Sequence, residues 1–180
     1  MLPTEILVEE HRIILAVIDA AEKEVKSVGA GAEFNGEKIE KMVDFFKNFA
    51  DTCHHAKEEK LLFPKMEEKG MNAEGGPIAV MLADHNTGRA YLGKVRQALP
   101  QASAGDAESV SVVLQNIGLF ANMLKHHIYK EDNILYPMAD QMFNDADQQD
   151  LLDKFADVEK NEIGEGVHEK YHKLAHELIG

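Results

Sequence analysis

CHHAKEEKLLFP (residues 53–64) and HHIYKEDNILYP (residues 126–137) are two copies of one pattern. Aligned on Pro64 and Pro137, His54 falls on His127, Glu58 on Glu131, Leu62 on Leu135 and Phe63 on Tyr136, each at an offset of 73 residues. Upstream, His11 precedes His54 by 43 residues and His85 precedes His127 by 42. The chain thus repeats a unit that reads His, a long interval, then His-x-x-x-Glu-x-x-x-Leu-aromatic-Pro. Fold and chemistry both follow from where that unit sits.

Apolar residues around each histidine recur at spacings of three and four, the period of a helix with one buried face. Leu7, His11, Ile14, Ile18, Ala21 and Val25 form such a seam over about residues 4–28, with Thr4 placed as its N-cap. GAGAEFNG (29–36) ends it. Val43, Ala50, His54 and Leu61 mark a second helix over about residues 37–69. Ile78, Met81, His85, Leu92 and Leu99 mark a third over about 78–99, opened by Pro77 and closed by PQASAGDA (100–107). Val110, Val113, Ile117, Phe120, Leu124 and His127 mark a fourth over about 108–143. A fifth segment, about 147–162, stops at Gly164 and Gly166, and Val167, Tyr171, Leu174 and Leu178 make the seam of a last short helix. No stretch alternates as a strand does. The expected fold is all-α: an antiparallel up-down four-helix bundle over about residues 4–143, with additional C-terminal helices over about 147–180 lying across it. The 180 residues are expected to form one domain.

Each bundle helix then contributes one histidine to an inward seam, and two add a glutamate one turn later on the same face. Six such groups in a core are costly unless something compensates them. Metal ions do so: imidazole and carboxylate suit iron, manganese or zinc. Glu58 and Glu131, on opposing helices, can each bridge two ions, and His11, His54, His85 and His127 can terminate them in pairs. Two divalent ions against two carboxylates leave a positive residue that favours hydroxide, water or a small anionic or reducible ligand.

Composition narrows the function. Lys and Arg number 19 against 32 Asp and Glu, a net charge of −13. So acidic a surface repels phosphate backbones and anionic lipid, so no nucleic acid and no membrane is expected as a partner. Cys53, the single cysteine, rules out an internal disulfide and a cysteine-rich metal site. MLPTEILVEEH reaches charged residues before a signal-peptide core can form, and no apolar run has spanning length. A soluble cytoplasmic protein is expected.

The string from His54 to Pro64, GPIAVMLADH (76–85) and the second copy at His127 resemble the hemerythrin-like family of HHE cation-binding domains over about residues 5–140. The resemblance implies a four-helix bundle with a non-haem di-iron centre. Its ligands fall on His11, His54, Glu58, His85, His127 and Glu131. It further implies two iron ions joined by an oxo, hydroxo or water bridge, with zinc or manganese as substitutes. The nearest branch is the di-iron proteins of nitric-oxide response and iron-centre repair. That branch usually carries an additional N-terminal cysteine-containing domain, and these 180 residues are expected to hold the bundle without it. Oxygen-carrying members place a fifth histidine one turn after the third-helix histidine, where this chain has Arg89. The four-histidine site leaves more positions open, which favours chemistry on small ligands over reversible oxygen carriage.

The expected function is binding or reduction of a small oxidant: nitric oxide, dioxygen or peroxide. It needs a diatomic or peroxide ligand and an electron donor that the sequence does not identify. The alternative is an iron-binding sensor, storage or delivery protein without turnover. Among the remaining polar residues, His55 and His126 are expected to point about 100° away from the ligand line, either behind the ligands or at the surface, with a swap of register with the neighbouring histidine as the competing reading. Glu59 and Asp132 are read as solvated, with a place behind the ligands as the alternative. Arg89 lies on the His85 face, where it could pair with a bridging carboxylate or hold an anion. His168, His172 and His176, spaced i, i+4, i+8, are read as a polar flank of the last helix, without a facing carboxylate. Cys53 is read as a small core residue.

Overall fold

A computed structural model describes residues 1–164 and 166–180. Helix α1 is Pro3–Gly29. Helix α2 (residues 36–68) is one rod built from Gly36–Phe45, a π-helical stretch Phe46–His55, a second π turn Glu58–Leu62, and Phe63–Glu68. Helix α3 is Pro77–Ser103. Helix α4 (residues 107–142) runs through Ala107–Lys130, a π turn Glu131–Leu135 and Tyr136–Met142. Helix α5 (residues 145–164) joins Asp145–Asp157 to a π-helical end, Val158–Gly164, and α6 is Val167–Ile179. No strand occurs among the described residues, and α1–α4 make the expected all-α up-down bundle.

Local chemistry sets the ends. Asn35, Asp106 and Asn144 each accept a hydrogen bond from the backbone N–H three residues on, capping α2, α4 and α5. Thr4 does not cap α1. The helix starts one residue earlier, at Pro3, and the buried Thr4 hydroxyl instead donates to Asp140 at 2.7 Å. Helix α3 does not stop at Pro100 but continues to Ser103, its last turn fixed by buried Ala102. Gly164 and Gly166 both take positive φ, 100° and 81°, which makes the break between α5 and α6.

Two apolar clusters flank a polar layer. One holds Ile14, Ile18, Phe45, Phe46, Phe49, Leu92, Ile117, Phe120 and Leu124, and is covered by Tyr171, Ala175 and Leu178 of α6. The other holds Leu7, Leu62, Phe63, Met66, Ile78, Met81, Leu135 and Tyr136, and is covered by Leu151 and Phe155 of α5. His11 lies between Leu7 and Ile14, His85 between Met81 and Leu92, and His127 and Glu131 between Leu124 and Leu135, so each helix crosses from one cluster to the other through its histidine. On α2, Leu62 rather than Leu61 is fully buried, because the π turn at Glu58–Leu62 rotates the seam.

Candidate metal centre

The polar layer collects all six residues singled out by the repeat. His11, His54, Glu58, His85, His127 and Glu131 are each at most 2% exposed. The imidazoles pair by hairpin: the His11 and His54 rings lie 4.5 Å apart and the His85 and His127 rings 4.7 Å apart. Glu131 lies between the pairs, with Oε2 3.3 Å from His11 Nε2 and Oε1 3.0 Å from His127 Nε2. Glu58 Oε2 lies 3.4 Å from His85 Nε2 and 3.9 Å from His54 Nε2.

Each histidine turns its other nitrogen outward to a carboxylate. Nδ1 of His11 meets Asp132 at 2.6 Å, that of His54 meets Glu10 at 2.8 Å, that of His85 meets Glu59 at 2.7 Å, and that of His127 meets Asp84 at 3.3 Å. A carboxylate on Nδ1 keeps a proton there, so Nε2 is the nitrogen that faces inward. Glu59 and Asp132 therefore take the alternative place, behind the histidines, while staying partly exposed. Their signal was present in the repeat: an acidic residue precedes the first histidine of each unit (Glu10, Asp84) and another follows the glutamate (Glu59, Asp132).

His55 departs from its expected place. It is 7% exposed, stacks on His85 at 3.7 Å, and lies with Glu58, His85 and His127 in one cluster of ligating atoms. A regular helix would turn it about 100° from His54. The π stretch Phe46–His55 advances less per residue, so both side chains face the core. Burial, with His85 alongside, pushes its pKa well below the ordinary value, so it is neutral. His126 is exposed, as expected, and bonds the Asn122 carbonyl.

Arg89 reaches neither Glu58 nor Glu131; it pairs with Asp51 and Glu59, both at 2.7 Å, and so braces His85 through Glu59. His168 does have carboxylates facing it: Glu10 of α1 lies 3.6 Å away, and Glu10, Glu159 and His168 fall within ligand distance of one another. A fully buried ammonium, Lys57, already occupies that group, with Nζ 2.5 Å from both Glu10 and Glu159. Cys53 is buried and its thiol is pushed up to about 12 by that burial, an inert core residue.

The electrostatics call for cations. Glu58 Oε2, both oxygens of Glu131 and His54 Nε2 are buried without a hydrogen-bond partner among the described residues. Four orphaned polar atoms converging on one small space fit metal ions, which are the partners that such donors lack. Burial alone would lower the pKa of His11, yet Asp132 and Glu131 outweigh it and raise the group to about 10. Likewise Glu58 and Glu59 overcome burial at His85 and raise it to about 9. Two groups of ligating atoms result, one of His11, His54 and Glu131 and one of His55, Glu58, His85 and His127.

Among the described residues, no helix is long and apolar enough to cross a membrane. In sequence, the chain is 22% identical over 161 residues to the uncharacterized protein Rv1995 of Mycobacterium tuberculosis, covering 89% of this chain and 62% of that protein. It is 35% identical over 91 residues to the iron-sulfur cluster repair protein YtfE of Yersinia pestis, covering 49% of this chain and 41% of the relative. YtfE of Yersinia pseudotuberculosis matches equally. The chain thus spans about three-fifths of the mycobacterial relative and two-fifths of the YtfE proteins. No solved structure matches. The model of the hemerythrin HHE cation binding domain matches residues 2–139, the whole bundle and its paired His/Glu clusters, and the chain belongs to that metal-binding family.

Proposed function

We propose that this chain is a non-haem di-iron protein that binds or reduces a small oxidant: nitric oxide, dioxygen or peroxide. The observation that carries the proposal is the set of buried inward-facing atoms around Glu58 and Glu131, without hydrogen-bond partners among the described residues while all four Nδ1 atoms are held from outside. His11 and His54 would hold one ion, His85 and His127 the other, and Glu58 and Glu131 would join the two. Bound iron supplies redox chemistry on small oxygen and nitrogen ligands. The protein contributes the rest. The outer carboxylates fix each ring, the two apolar clusters exclude bulk water, and the Tyr136 hydroxyl is held within the layer at 2.7 Å from Glu58 Oε1. Reduction requires an electron donor as a separate partner.

The test is elemental analysis after anaerobic iron reconstitution, followed by the spectrum with nitric oxide. Two iron atoms per chain and a changed spectrum are expected; one metal or none overturns the dinuclear reading. A second reading, an iron sensor, storage or delivery protein without turnover, draws support from the relatives named for iron-sulfur cluster repair. Sustained consumption of nitric oxide, dioxygen or peroxide with an artificial reductant separates the two.

A further inference from the structure

Outside the polar layer, α2, α3 and α4 part to leave a cavity of about 220 Å³. The apolar part of its wall is Phe46, Ala50, Leu92, Phe120, Met123 and Leu124. Helix α3 gives it room through glycines. A Cβ at Gly93 would meet nothing within 4 Å, and one at Gly88 would press on Met123 at 3.0 Å. One end of the cavity is closed by His55, His85 and His127. The other reaches Lys47 and Arg96, which also line the neighbouring groove with Glu40, Asp44, Leu99 and Pro100. Eleven residues of α3 separate these ends, about 16 Å of helix at the usual rise.

The charges along the lining are mostly spent. Asp51 is bound by His55 and Arg89, Asp84 by His127 and Lys130, and Arg89 by Asp51 and Glu59. Lys47 and Arg96 have no side-chain partner among the described residues, although the chain carries a net charge of −13 and offers acidic groups almost everywhere. Two unpaired cations at the end of an apolar cavity match a ligand with an anionic head and a hydrocarbon body. At roughly 30 Å³ per water-sized group, the space takes about seven such groups.

We infer that the α2–α3–α4 cavity is a binding site for a small aliphatic carboxylate, its head at Lys47 and Arg96 and its apolar end toward His85 and His127. The cavity meets the polar layer at His85 and His127, whereas Lys47 and Arg96, the groups offered to the anionic head, lie outside that layer.

The test is calorimetric titration of the full chain, iron-loaded and metal-free, with hexanoate. Hexanol, hexylammonium, acetate and inorganic phosphate serve as controls. Hexanoate is expected to bind with a Kd on the order of 1 mM or tighter. Hexanol should bind at least tenfold more weakly, and hexylammonium, acetate and phosphate should give no saturable heat. Gly93→Leu, which fills the open space, should abolish binding. The double variant Lys47→Ala/Arg96→Ala should weaken hexanoate at least tenfold and leave hexanol unchanged; circular dichroism checks that both variants fold. Equal binding of hexanoate and hexanol, unchanged binding by either variant, or saturable binding of acetate or phosphate would overturn the proposal. So would binding confined to the iron-loaded form, since that marks direct ligation of the metal.

Discussion

The Tyr136 hydroxyl donates to Glu58 Oε1 at 2.7 Å, and Phe63, its counterpart in the other repeat, has no hydroxyl to offer Glu131. The two rings otherwise play matched parts: Tyr136 lies parallel to His11 at 5.5 Å and Phe63 parallel to His85 at 6.1 Å. At this pair of rings the internal symmetry of the centre breaks at one oxygen atom. Glu58 is held by a neutral donor through one oxygen, whereas neither oxygen of Glu131 has a hydrogen-bond partner among the described residues and both face imidazoles, His11 and His127.

Tyr136→Phe should accordingly weaken iron binding by about tenfold or more, the usual scale for losing a bond that orients a ligand. Helix content should be unchanged, because only a hydroxyl is removed. Competition with a chelator measures the affinity. An unchanged affinity would mean that Glu58 is positioned by packing alone.

Lys57 supplies a second prediction. It is fully buried, with its ammonium between Glu10 and Glu159, and Glu10 holds His54. Together they push the pKa of Lys57 up despite burial. Lys57→Met leaves the buried Glu10 carboxylate without its cation, a loss of about 3–5 kcal/mol by urea denaturation. The pair Lys57→Met/Glu10→Gln should recover much of it, because the stranded charge is gone. A single variant within 1 kcal/mol of wild type, roughly the value of a surface pair, would show that water reaches the group.

Much of this centre could be read from the sequence because it is written twice. His54 and His127 carry glutamates at the same spacing, and only a helix puts both on one face. What escaped depended on geometry that a regular helix does not have. His55 enters the cluster because Phe46–His55 is π-helical, and nothing in FKNFADTCHH marks that change of period. His55 also has no twin: its repeat position is Ile128. The outer carboxylates were legible in principle, since Glu10, Asp84, Glu59 and Asp132 recur beside the ligands. Which histidine each one holds is set by helix neighbours across the bundle, a contact between chain segments 26 to 121 residues apart. Glu159 and His168 join Glu10 only because α5 and α6 fold back over the bundle.

Asp147 gives the pH dependence of that fold-back. Its carboxylate meets Lys69 at 2.7 Å and Lys65 at 3.1 Å, tying the start of α5 to the end of α2. The Lys69 bond is the main cause of its pKa falling from 3.8 to about 2. A folded value below the unfolded one means stabilisation that is complete above pH 3.8 and lost as pH falls toward 2. Asp147→Asn should therefore lower the melting temperature at pH 7, and the difference from wild type should vanish on acidification through that window. A difference that persists at pH 2 would assign the effect to the cap with Asn144 instead.

Metal uptake should release protons. In the metal-free centre, His11 and His85 are raised to about 10 and about 9, so both carry an extra proton at pH 7. A metal can take Nε2 only after that proton leaves, because the outer carboxylates keep Nδ1 protonated. Titrating iron(II) anaerobically into metal-free protein in weak buffer should release about two protons per chain at pH 7. Apparent affinity should fall as pH is lowered, since more acid competes for the same nitrogens. The bound ions should also raise the melting temperature: free metal at a hundred times its Kd adds about 2.7 kcal/mol per site. Chelation that leaves the melting temperature unchanged, or uptake without proton release, would mean that the metal binds elsewhere than between His11 and His85.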